Sequence, residues 1–298
     1  MDRNRYRGDG LPPKGSKNGP YPYLANDDLA RVVNMAIMLR RPLLIKGPPG
    51  CGKTQLAYAI AHELDVPLYK WYVKSTTRAR DGLYLLDMIK RLHDAQVQDP
   101  NAKDLANYVK LQALGQAFMN PGESVVLIDE IDKADIDFPN DLLRELEEKT
   151  FDVVELEDGH PMRTYQAIGH PIIIITSNDE KELPDAFLRR CLFYQIPFPS
   201  EERLKKIINV NLAAEKHKIE TTLVNAAVRR LIDMREVEGY RKSPSTSELI
   251  DWVKVLHFWG SDVSALEKNA LSKLPYLETL FKYQQDLHLL QRLEEEDE

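Results

Sequence analysis

The segment Gly47-Pro48-Pro49-Gly50-Cys51-Gly52-Lys53-Thr54 constrains this chain more than any other. It fits the pattern G-x-x-x-x-G-K-[ST] and lies between a short apolar run, Pro42 to Lys46, and a helical stretch, Gln55 to Leu64. Such a loop requires that placement, because successive backbone N–H groups must curl around phosphate oxygens at the positive end of the following helix. Gly50 and Gly52 open backbone conformations and close approaches denied to other residues. Lys53 brings a point charge to the outer phosphates, and Thr54 a hydroxyl for magnesium. Cys51 reads as a small side chain tolerated between glycines, since the sequence places no histidine beside it as a base.

Around this loop the chain alternates apolar runs with helical periodicity. Leu29, Val32, Val33, Ala36, Ile37 and Leu39 follow an Asn-Asp-Asp start and predict a first helix. Pro67 to Val73, Ser124 to Ile128, Pro171 to Thr176 and Cys191 to Ile196 read as further strands, most of them unbroken apolar runs of the kind buried on both faces. Helices are predicted over Leu83 to Ala95, Leu105 to Phe118 and Pro139 to Lys149. Phe151 to Glu155 and Met162 to Ala167 flank Asp158-Gly159 as a hairpin. After Pro197-Phe198-Pro199-Ser200 the strand signals stop, and helices are predicted over Glu202 to Ala214, Thr222 to Arg235, Ser245 to Phe258 and Pro275 to Glu298. The organisation expected is a flexible basic arm over residues 1–22, an α/β nucleotide-binding domain over 23–199, and a helical domain over 200–298 that ends in an acidic tail. No internal repeat is evident.

The strand Val125 to Ile128 opens into Asp129 and Glu130. Downstream of a phosphate loop, that pair supplies a carboxylate to orient magnesium, Asp129, and a candidate base for an attacking water, Glu130. Ile172 to Ile175 similarly opens into Thr176, Ser177 and Asn178, and the amide at that strand end can hydrogen-bond a terminal phosphate and the lytic water. Arg189-Arg190 precede the last strand. Neither reaches a phosphate on its own chain easily, but either could stabilise charge on a neighbouring subunit's nucleotide.

The chain has 298 residues, 43% hydrophobic and 29% charged, with a net charge of -7. An acidic balance argues against general attraction to nucleic acid. Two cysteines imply no disulfide framework and a cytoplasmic setting, no apolar run reaches membrane-spanning length, and Met1 to Asn18 is too polar for a signal peptide. His62-Glu63 lacks the second histidine of a zinc-protease helix, because Val66 stands in its place.

GPPGCGKT, VVLIDEID, IIIITSN and AFLRRC, in this order and followed by helices, resemble the AAA+ superfamily over most of the chain. Thr77 to Tyr84, Asp132 to Asp135, Asn140 to Leu143 and Lys242 to Leu249 further resemble MoxR-like ATPases. The resemblance implies an α/β fold: a P-loop AAA+ three-layer sandwich with a central parallel sheet, followed by a smaller all-α lid domain. It implies ATP and Mg2+ as cofactors, held by Gly47, Pro48, Pro49, Gly50, Cys51, Gly52, Lys53, Thr54 and Gln55, with Thr54 and Asp129 on the metal. Glu130, Asn178 and Arg190, with Arg189 as its alternative, would carry catalysis. A lid arginine is missing where MoxR-like chains have Ser-Pro-Arg, since Ser243-Pro244-Ser245 stands there, with Arg241 or Lys242 as substitutes. Hydrolysis in a hexameric homo-oligomer with shared active sites, coupled to remodelling of a separate protein partner such as a von Willebrand A domain protein, is the leading expectation. A nucleotide-regulated scaffold with little turnover and a nucleic-acid motor are its alternatives.

Overall fold

The structure, a computed structural model, describes residues 5–215 and 218–297, with side chains as far as Leu293. The chain divides into two compact units. One comprises residues up to Gly19, Ala25–Gly47 and Lys53–Ile196; the other comprises Pro20–Leu24, Pro48–Gly52 and Pro197 onward.

Five parallel strands form the heart of the first unit: β1 (Leu43–Lys46), β2 (Leu68–Tyr72), β3 (Glu123–Asp129), β4 (His170–Ser177) and β5 (Leu192–Gln195). They lie in the order β2-β3-β4-β1-β5. Register is continuous across the centre: Val125 pairs with Ile172 and Ile128 with Ile175, while Lys46 pairs with Ser177 on one side and Gln195 on the other. Alternate residues serve different faces, as the pleat dictates. Leu44, Val126, Ile128, Ile173 and Ile175 share a core with Leu114, Ala117 and Phe118 of a short helix, Ala113–Phe118. Leu43, Ile45, Val125, Leu127 and Ile174 are equally buried without belonging to that cluster, so they face the opposite layer. Helix α1 (Asp27–Leu39), capped by the Asn26 side chain on Leu29 N–H, packs near β5, and α2 (Lys53–Leu64) packs on β2, β3 and β4. Helices on a parallel sheet buried on both faces make the three-layer α/β sandwich.

Three local expectations are corrected here. The two helices predicted between Leu83 and Phe118 are present but shorter, as Met88–Gln96 and Ala113–Phe118, and an insert with its own strand pair takes up the rest. Tyr84–Leu86 and Val109–Leu111 pair antiparallel, and between them lie helix Met88–Gln96 and two 3₁₀ turns. Tyr84 is buried and stacks 6.1 Å from Phe151, a long-range packing gain that overrides the local period. The helix expected over Pro139 to Lys149 is broken into Phe138–Asp141 and Leu143–Glu148. The expected arm is in part packed rather than solvated: Tyr6 is buried, and Arg5 pairs with Glu123. The backbone N–H groups of Arg7 and Gly8 donate to Glu63, whose carboxyl burial holds above the usual carboxylate range. A buried carboxyl needs donors, and the arm supplies them. The hairpin pairs Thr150–Asp152 with Thr164–Gln166.

The second unit is helical. Helix α3 (Glu201–Ala214), α4 (Thr221–Glu236) and α5 (Thr246–Phe258) bury Leu204, Ile208, Val224, Leu231, Leu249 and Trp252 in one core. The last predicted helix starts later than expected, as α6 (Gln284–Asp297). From Leu271 to Phe281 the chain packs through 3₁₀ turns, with Leu277, Leu280 and Phe281 in the core, Tyr276 left-handed (φ 60°), and Trp252 Nε1 donating to Pro275 O. The side chains of the acidic tail lie outside those described. Among the described residues no helix is long and apolar enough to cross a membrane.

Candidate nucleotide site

The polar residues of the first unit gather at the carboxyl ends of β1, β3 and β4, where a parallel sheet presents ligands to its loops. Lys53, the first residue of α2, is buried and its Nζ donates to Gly47 O at 2.6 Å. Thr54 Oγ1 donates to Asp129, 3.0 Å from one carboxylate oxygen. Asp129 is itself 7% exposed, and its Oδ1 also accepts from Thr176 Oγ1 at 2.6 Å. The β3–β4 register brings this about: Ile128 sits opposite Ile175, so the next residues, Asp129 and Thr176, leave the sheet side by side. Gln55 follows on α2 as an exposed residue.

Glu130 ends β3 in a left-handed conformation (φ 60°), uncommon for a residue with a Cβ. Its N–H donates to Thr176 Oγ1 at 2.8 Å, and its Oε1 accepts from Asn178 Nδ2 at 3.1 Å. The other oxygen accepts from Lys133 Nζ, whose pKa that hydrogen bond raises. Asp132 is buried beneath, its Oδ2 accepting the N–H of Asn178 at 3.0 Å and that of Glu180 at 2.9 Å. The expected residues Thr54 and Asp129 thus meet, and so do Glu130 and Asn178. Thr176, Asp132 and Lys133 complete the cluster. Of these, Lys133 could have been flagged from its i,i+3 spacing to Glu130, whereas the Thr176 contact depends on register that the sequence does not carry.

Pro48, Pro49, Gly50, Cys51 and Gly52 group with the second unit. Gly50 is left-handed (φ 77°), and a Cβ there would lie 2.4 Å from both Ser245 Oγ and Ser247 Oγ, so only glycine fits. Ser247 N–H donates to Gly50 O at 3.3 Å. The N-terminus of α5 therefore abuts the loop through Ser245 and Ser247. Arg241 lies 4.1 Å over the Tyr283 ring, and Lys242 pairs with Glu248 at 2.8 Å. Burial pushes Glu248 up, but the bonds from Lys242 and Ser245 outweigh it and hold the carboxyl below its usual range.

Arg189 and Arg190 lie elsewhere. They precede β5, at the end of the sheet where Pro42 enters β1 and His170 enters β4, opposite the phosphate end. Strands of four to eight residues separate the two ends by roughly 13–25 Å. Arg190 is tied to Glu147 at 2.8 Å and to Ala186 O. The Arg189 side chain is exposed, without an ion pair or hydrogen bond among the described residues. Arg41 donates to the carbonyls of Arg189, Arg190 and Cys191, which fixes the backbone of this segment.

A sheet in the order β2-β3-β4-β1-β5, with a glycine-rich loop after β1 and paired carboxylates after β3, defines a phosphate-loop protein that binds nucleoside triphosphates. The sequence profile of the ATPase family associated with various cellular activities (AAA) matches residues 43–199, just over half the chain. The chain belongs to that family, and an AAA domain implies ATP binding. It is 36% identical over 78 residues to the denitrification regulatory protein NirQ of Stutzerimonas stutzeri, covering 26% of each protein. It is 30% identical over 151 residues to the ribosome biogenesis ATPase RIX7 of Saccharomyces cerevisiae, covering 50% of this chain and 15% of that protein. The chain thus spans a minor part of each of these relatives. The structure of a RuvB point mutant from Thermotoga maritima aligns over 79% of this chain and 69% of that one, at TM-score 0.45 and 16% identity.

Proposed function

We propose that this chain is a Mg2+-dependent, ring-forming ATPase of the MoxR-like branch that couples ATP hydrolysis in the cytoplasm to remodelling or activation of a separate protein partner. One observation carries the reading: Thr54, Asp129, Thr176, Glu130 and Asn178 converge in a single hydrogen-bonded cluster beside Lys53. Thr54 and Asp129 fit a hard cation. Two oxygen donors lie 3.0 Å apart, and no group of three or more His, Cys, Asp or Glu among the described residues could hold a metal. Mg2+ is bound in that sparse way, through one or two protein oxygens, with phosphates and water supplying the rest. Held by Thr54 and Asp129, such an ion would supply charge neutralisation at the outer phosphates.

In the reaction, a water oxygen attacks the γ-phosphorus while Glu130 takes the water's proton. The bond from that phosphorus to the β–γ bridging oxygen breaks, and ADP leaves with the electron pair. Lys53 neutralises the outer phosphates, and Asn178 orients the γ-phosphate and the base together. Arg189 or Arg190 would act on the nucleotide of an adjacent copy, Arg189 being the one whose head group is held by no other residue among those described. Steady-state phosphate release tests the reading. Glu130→Gln should keep Mg-ATP binding and lose about 100-fold or more in turnover; wild-type turnover in that variant would reject it.

A second reading, ATP-regulated assembly with little turnover, is favoured by one observation. Both oxygens of Glu130 are already occupied by donors. Phosphate release by the purified wild-type chain separates the two.

A further inference from the structure

The head group of Lys133 serves nothing in the reading above, yet it lies on the residue that matters most there. The chain turns at Glu130, and the 3₁₀ turn Ile131–Lys133 closes with Lys133 N–H on Glu130 O at 3.0 Å. That turn returns the Lys133 stem alongside the Glu130 side chain. Lys181 Nζ donates to the carbonyls of Lys133 and Ala134 at 3.3 and 2.7 Å, which pins the turn to the segment after β4. Asp132 pins the same segment from below through the N–H groups of Asn178 and Glu180. The backbones that carry the two donors, Asn178 Nδ2 and Lys133 Nζ, are therefore fixed, and each donor takes one oxygen of Glu130.

We propose that Lys133 is a brake on this site: its ammonium holds one oxygen of Glu130 while Asn178 holds the other, so the carboxylate cannot take a water's proton until Lys133 lets go. The proposal rests on Glu130 being the base. A carboxylate bonded to an ammonium is a poorer proton acceptor than one facing water, because accepting the proton would cost it the charge-assisted bond. Release is cheap. The two side chains are 42% and 36% exposed, and an ion pair so open to solvent is weak. Lys133 is thus a positioning residue that acts through Glu130 and makes no contact of its own with the nucleotide.

The test is steady-state phosphate release by the full chain at saturating Mg-ATP, with Mg-ATP affinity measured by calorimetry. Lys133→Met should raise kcat about two- to fivefold, the scale of a part-exposed ion pair, with affinity unchanged. Lys133→Arg, which keeps the cation, should keep the brake. Lys133→Gln carries the same expectation as Lys133→Met if thermal melting shows the methionine variant to be destabilised. A Lys133→Met or Lys133→Gln protein that melts like wild type and turns over no faster overturns the brake. The underlying reading fails separately, if Glu130→Gln hydrolyses ATP at the wild-type rate.

Discussion

The two ends of the central sheet differ in how they handle charge. At the carboxyl end the polar groups satisfy one another: Thr54 and Thr176 on Asp129, Asn178 and Lys133 on Glu130, Lys46 on Asp179. At the amino end lies a groove of about 1250 Å³ whose lining includes seven Arg or Lys side chains against two Glu. Arg5 and Arg190 use up those two carboxylates. Arg41 and Lys149 are hydrogen-bonded to backbone carbonyls, and Arg189 stands exposed. An end whose donors and acceptors mostly pair with one another, the buried Asp132 Oδ1 excepted, is preorganised for a ligand whose place is already set. An end with surplus cations suits an anion that arrives from outside the chain. On the proposed shared-site reading, this asymmetry within one sheet would let the carboxyl end serve the chain's own nucleotide and the amino end serve a neighbouring copy's.

The strongest way to break the comparison is to disable each end in a different copy. Lys53→Ala should abolish the heat of Mg-ATP binding. Arg189→Ala should bind Mg-ATP normally and lose about 100- to 1000-fold in turnover. Mixing the two inactive proteins should restore phosphate release, because one supplies an intact cradle and the other an intact arginine. A mixture as inactive as its components would sever the link between the two ends. If Arg190→Ala complements and Arg189→Ala stays active, the arginine roles are exchanged.

A smaller effect sharpens the carboxyl end. Thr176→Val keeps the shape of the side chain but removes both its donation to Asp129 and its acceptance from Glu130 N–H. Leaving those buried groups short of partners costs about 1–3 kcal/mol. Turnover should fall roughly 10- to 50-fold, and the melting temperature by a few degrees. A Thr176→Val enzyme with wild-type kcat would mean that Asp129 is held well enough by Thr54 alone.

The same asymmetry governs how much the sequence discloses. The Gly47 to Thr54 loop and the Asp129-Glu130 pair are legible because strand, turn and charge lie within a few consecutive residues, and local chemistry dictates them. The β-strands are legible because unbroken runs such as Pro171 to Thr176 have few uses other than burial. The insert over residues 83–112 is not, because Tyr84–Leu86 finds its partner 25 residues away in Val109–Leu111 and its packing in Phe151, far along the chain. The start of the last helix is misplaced for a similar reason. Leu277, Leu280 and Phe281 have a helix's spacing, but the left-handed Tyr276 and the Trp252 bond to Pro275 bury them without one. Choosing between Arg189 and Arg190 from sequence rests on nearness to β5, whereas what distinguishes them in space is Glu147, which occupies only Arg190.

The smallest effect tests the amino end through stability. Lys149 lies in that groove with its Nζ on Leu146 O, and burial lowers its pKa from 10.5 to about 8, against smaller opposing influences from Cys191 and Glu147. The fold therefore disfavours the charged form, whereas an unfolded lysine stays protonated to about pH 10.4. Between these values the unfolded chain binds more protons than the folded one, so stability rises with pH across the window from about 8 to 10.4. Below it the folded protein carries the full penalty. A lowering of that size sets a ceiling of about 3 kcal/mol, and solvent reaching the partly buried head group reduces the expectation to about 1 kcal/mol. Lys149→Met keeps a side chain of similar length in the same left-handed backbone conformation (φ 54°). It should melt a few degrees higher than wild type at pH 7, with the gap closing by pH 10. A gap that stays constant across that range would show that the fold does not disfavour the charged form of Lys149, and the amino end would then count one fewer surplus cation.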